Sequence, residues 1–206
     1  MSALPKFDSN EDTLVAYGSS LPTTTTVVTS SWDFSVSNWQ TYSGTDWSAT
    51  VFHGQYDHGD YYASVGESMS SRWYTESHDV VDALSYQFGD YYWYQEHGEH
   101  SETSSFAHWT PDSLSYGSSW LTSTTDLVSF QGPELQFNSS HTVSSDVSDS
   151  WFTNPWGSMQ SHTENTNDTW MTRTASPGFD TVEVQVVGTH YEHTESSGFL
   201  DWGGRG

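Results

Sequence analysis

The chain has 206 residues, 27 acidic against 4 basic, no cysteine and a net charge of −23 with histidine neutral. Disulfides, thiolate chemistry and Cys-type zinc or iron–sulfur sites are thereby excluded. Lys6, Arg72, Arg173 and Arg205 are too few and too scattered to form the basic patch that nucleic acid or an anionic membrane demands.

Acid is ordinary in amount here; base is what is missing. Such a surface of Ser, Thr, Asn, Gln and carboxylate repels its own copies at low salt and is receptive to divalent cations. Leu, Val and Phe number 9, 15 and 10, and there is no Ile. Aliphatics that scarce, with high net charge, are the composition of a disordered chain. The aromatics oppose that reading: 11 Trp, 12 Tyr and 10 Phe. Each buried ring removes about 150–250 Å² from water, so rings can stand in for aliphatic residues in a core. No run of about 18 apolar residues exists for a membrane-spanning helix, and Met1 to Tyr17 has neither the charged nor the apolar region of a secretory leader.

In chain order, residues 1–22 read as a polar N-terminal arm and 23–206 as a single β domain. Thr23 to Thr29 is β-branched throughout and reads as a strand. Period-2 alternation then dominates. Trp32, Phe34 and Val36 alternate with Asp33, Ser35 and Ser37, Val128 and Phe130 flank Ser129, and Leu135 and Phe137 flank Gln136. Val182, Val184 and Val186 repeat the pattern around Glu183 and Gln185. His78 to Ser85 is the best candidate for a short helix, since no segment sustains an apolar stripe for three turns. Regularly spaced Gly and Pro predict short turns between strands. The expected fold is all-β: an antiparallel sandwich, a barrel or a β-solenoid-like meander. Residues 56–62 resemble 86–92, and 82–86 resemble 112–116, both at an offset of 30, which points to a repeat of about 30 residues.

Two constellations could carry function. Eight of the ten histidines fall near carboxylates in the sequence, and Glu96-His97-Gly98-Glu99 shares an E-H-x-E pattern with Glu192-His193-Thr194-Glu195. Imidazole and carboxylate suit zinc or copper, which makes His97, Glu99, His100, His190, Glu192 and His193 candidate metal ligands. On a strand only i and i+2 share a face, so His97 with His100, and His190 with His193, need a bend in the backbone. The plainer alternative is that His and Glu fill solvent-facing strand positions where Lys and Arg are absent. Asp146, Asp149 and Asn154 could hold calcium with loop carbonyls, although no known calcium-loop spacing is present.

The second constellation is aromatic. Tyr91-Tyr92-Trp93-Tyr94 is the densest run, with Tyr61-Tyr62 and Trp73-Tyr74 behind it. Alternation places Tyr91 and Trp93 on one face, so Tyr61, Tyr62, Tyr91 and Trp93 are candidates for core, for an interface or for a sugar-stacking platform. No nucleophile elbow, phosphate loop or dinucleotide motif occurs, and no enzyme is expected. The expected function is an extracellular or cell-surface structural protein that assembles through strand addition and aromatic contacts. Carbohydrate binding and secreted, histidine-based metal binding are the alternatives, with Ca or Zn the ions considered. The segment Leu14 to Thr29 is the expected donor strand.

Overall fold

In a computed structural model the structure describes residues 26–66 and 68–197. It is all-β, as the alternation predicts. Eight antiparallel strands run in sequence order as one open meander: β1 (Thr26–Ser43), β2 (Trp47–Val65), β3 (Ser70–Phe88), β4 (Tyr91–Thr110), β5 (Ser113–Gln131), β6 (Gln136–Asn154), β7 (Gly157–Ser176) and β8 (Phe179–Ser197). Each strand contacts only its neighbours in sequence. Among the described residues β1 and β8 are therefore free edges, and no second sheet or closure completes a sandwich or barrel. Strands of 18–20 residues span about 60 Å, and eight of them side by side span about 34 Å.

The sequence dictates this locally. Alternation continues through every strand without a bulge, so pairing runs unbroken from turn to turn. The connections are two to four residues long and use the residues such turns require. Gly89 adopts φ 54°, and in Pro177–Gly178 the proline presets the first turn position while Gly178 takes φ 85° at the second. The segment His78–Ser85 lies inside β3 and is not helical. Its apolar residues divide between faces, Val80 and Leu84 on one and Val81 and Ala83 on the other, so the apparent helical cluster is a strand read lengthwise. Successive strands begin 21–23 residues apart. The 30-residue offset is thus not the period of the sheet. Residues 56–62 lie within β2, whereas 86–92 cross the β3–β4 turn. Of the expected donor segment, Thr26–Thr29 begins β1; the rest, with the arm at 1–22, lies outside the described residues.

No described hydrophobic side chain is buried. The rings expected to build a core stand on the two faces instead, with Trp39 66% and Trp120 59% exposed. Packing is local: an aromatic ring covers a bare patch of backbone. Trp32 lies over its cross-strand partner Gly59, and Phe106 over its partner Gly117. A Cβ on Gly117 would come within 2.8 Å of the Asp149 carbonyl oxygen, as well as meeting the Phe106 ring. A Cβ on Gly98 would meet nothing closer than 3.9 Å.

These two glycines therefore separate in a thermal melt. Gly98→Ala should hold or raise the melting temperature, by up to about 0.5–1 kcal/mol of reduced unfolded-state entropy. Gly117→Ala should lower it, by about 1–3 kcal/mol of overpacking. Circular dichroism melts of the two variants beside the parent check the order, and equal melting temperatures would contradict it.

Candidate functional site

Unbroken antiparallel pairing places directly opposed residues on the same face. One face carries a row that crosses all eight strands: Asn38, His53, Asp82, His97, Asp126, His141, Trp170 and Gln185. From β2 to β6 it alternates histidine and aspartate. His53 Nδ1 and Asp82 Oδ1 are 2.7 Å apart, as are His97 Nδ1 and Asp126 Oδ1. His141 departs from the pattern. Its Nε2 lies 2.8 Å from Asp168, and its ring stacks on Trp170 at a centroid distance of 3.6 Å.

The same chemistry recurs beyond this row. His78 bonds Asp57, His162 bonds Asp149, and on the other face His58 bonds Asp33 and His100 bonds Asp79. His193 bonds Glu195 on its own strand at 3.0 Å. In a sheet with almost no lysine, histidine is the cation available to sit opposite a carboxylate. His97 and His58 each have two acceptors, one per ring nitrogen: Asp126 and Glu99 for His97, Asp33 and Asp60 for His58. Both nitrogens can donate only when the ring is protonated. These hydrogen bonds raise both histidines above their usual range, with Asp126 and Asp33 the leading partners. Two tyrosines are affected similarly. Burial first, then a hydrogen bond to Glu76 or Glu96, pushes Tyr74 and Tyr94 up to about 12, so both stay neutral hydroxyls.

The structure divides the sequence candidates for metal binding. His97 and Glu99 share a face at 3.2 Å, but His100 is on the opposite face with Asp79. His190 and Glu192 share a face with their charged atoms 4.0 Å apart, and His193 points the other way, paired directly with His162. Among the described residues no group of three or more His, Asp or Glu is arranged to hold a metal ion. The calcium candidates are likewise split, with Asp149 across the sheet from Asp146 and Asn154.

The aromatic candidates divide as well. Tyr61, Tyr91 and Trp93 lie on the face of the histidine row and Tyr62 on the other. At one end of that face Tyr42, Ala49, Tyr86, Trp93, Phe130 and Phe137 form a single row across β1–β6. Trp47, Phe88 and Tyr91 lie beyond it, and Trp47 stacks with Tyr86 at 6.3 Å. Roughly two-thirds of the strand aromatics lie on this face, and Tyr42, Tyr86, Tyr91 and Trp93 are all exposed. The sequence pairs of E-H-x-E did not lead to the row. The signal that finds it is spacing: His53, His97 and His141 recur at 44 residues, as do Asp82 and Asp126, which is one hairpin. No helix among the described residues is long and apolar enough to cross a membrane.

The pairs impose a pH dependence whose sign follows from the shift. A histidine held above its ordinary 6.5 contributes stability that is fully present below about 6.5 and is lost as pH rises through the higher folded value. The melting temperature should therefore fall as pH rises above about 6.5. His97→Gln should flatten part of that fall, while a parent protein with a flat profile would contradict it. Comparison with protein-family models, with curated proteins and with solved structures finds no match to this chain, so the argument for function stands on these rows and edges.

Proposed function

We propose that this protein is a non-catalytic structural protein of the extracellular space or cell surface, whose working form is an assembly of copies. The observation that carries the reading is the absence of any buried hydrophobic side chain among the described residues of a large sheet. An eight-stranded sheet normally buries one face against another layer. Here strands of about 60 Å present rings on both faces and, among the described residues, unpaired backbone groups along both edges. Long, exposed edges with apolar side chains are templates for pairing with another chain. Two of the usual guards, lysine and proline, are missing from both β1 and β8, and β1 carries a single charge, Asp33. Histidine–carboxylate pairing favours assembly too, because ten protonated histidines would bring the net charge from −23 to −13 and ease repulsion between copies. The composition supports the location: no cysteine, almost no lysine, and a surface of Ser, Thr and aromatics.

Sedimentation velocity across salt, Ca²⁺ and pH tests the reading. At micromolar concentration the protein should sediment as a species larger than its 23.1 kDa chain, and more so in moderate salt than in low salt. A single 23.1 kDa species throughout would refute it.

The aromatic row favours a second reading, glycan binding. The strands β3–β6 lie about 4.8 Å apart and each contributes a ring to one exposed face, the kind of surface on which the faces of sugar rings can pack. Binding to an insoluble β-glucan, lost about tenfold on Trp93→Ala with the melting temperature held, would support it. Absence of binding to neutral polysaccharides on a glycan array would remove it.

A further inference from the structure

Resting on the assembly reading, we propose its geometry: β8 of one copy pairs antiparallel with β1 of the next, in the register the sheet already uses. β1 and β8 run in opposite directions, so a copy translated across the sheet presents its β1 antiparallel to β8 with no rotation. Extending the direct-pair rows one strand further sets Thr26 opposite Ser197 and Ser43 opposite Asp180, so the strand ends are flush.

In that register the side chains match in kind. β1 carries one charge, Asp33, and it falls opposite His190. This is the pair that the sheet makes internally at His53–Asp82, His97–Asp126 and His162–Asp149. Asp33 would then lie between His58 of its own chain and His190 of its neighbour. Trp32 faces Tyr191, Val36 faces Val187, Trp39 faces Val184 and Asn38 faces Gln185, so apolar residues meet apolar residues and an amide meets an amide. Asp180, Glu183, Glu192 and Glu195 of β8 fall opposite Ser43, Gln40, Ser31 and Val28, and no acid opposes another. Pairing β8 with a second β8 would instead bring two acidic strands together, which disfavours a two-fold edge. The contact is head-to-tail, so it leaves a free β1 at one end and a free β8 at the other and continues to grow.

A chain without cysteine allows a direct test. Single variants Thr29→Cys and Thr194→Cys, mixed and oxidised, should form a cross-linked dimer, because the proposed register makes these residues partners within disulfide reach. Thr29→Cys mixed with Val186→Cys, eight residues out of register, should not. The double variant Thr29→Cys/Thr194→Cys in one chain should give a ladder of multimers on a non-reducing gel. An internally cross-linked monomer, with β8 closing on its own β1, would overturn the proposal. His190→Glu should raise the concentration for half-association at least about tenfold, and Asp33→Lys/His190→Glu should restore it. If the parent sediments as a multimer but neither the matched cross-link nor the charge rescue appears, this register is wrong and assembly stands. If the parent is a monomer, both fall.

Discussion

Everything in this molecule hangs on backbone pairing. In most β proteins the ladder of N–H···O=C bonds and a buried hydrophobic face act together, with burial the dominant favourable contribution. Here the ladder is long and unbroken, and no described hydrophobic side chain is buried. What remains for side chains is lateral: a ring laid over a glycine, a hydroxyl against a hydroxyl as at Ser104–Ser119, an imidazole against a carboxylate. Each such cross-strand contact contributes about 0.2–1 kcal/mol, and there are many of them. Register follows, because a slip of one residue would move the histidine row to the other face and leave its aspartates unopposed.

The near-absence of lysine acquires a physical sense in this setting. A lysine opposite each aspartate would be charged at every ordinary pH and strongly hydrated on a flexible stem. Histidine is shorter, planar and able to stack, as His141 does on Trp170. Its charge is also conditional, so the lateral contacts that hold neighbouring strands together depend on acidity. An arginine–aspartate fork, Arg173 with Asp180, sits beside the β7–β8 turn, where two strands are already tied by the chain.

The strands were legible because alternation at period 2 is strong in segments such as Trp32–Ser37 and Val182–Val186. The turns were legible from Gly and Pro. The layer was not. Thirty-three aromatic residues read as a core, because composition cannot distinguish a ring that is buried from one lying flat on its own sheet. The histidine row was hidden for a different reason. Its members lie 15 and 29 residues apart in alternation, distances that carry no local signature, and only their common 44-residue hairpin period joins them. The offset of 30 distracted from that period, since a Gly-Asp step followed by two tyrosines occurs once inside a strand and once at a turn. The E-H-x-E pairs, by contrast, put His97 and Glu99 on one face as alternation requires, and left His100 on the other.

Contacts confined to neighbouring strands make the hairpin an interchangeable unit of width. Duplicating or losing one internal hairpin of about 44 residues would change the sheet by about 10 Å, and every remaining internal strand would keep two neighbours of the kind it had. The two outermost strands would be untouched. A lineage carrying such a gene could therefore lengthen or shorten this protein by unequal crossing-over without redesigning its margins.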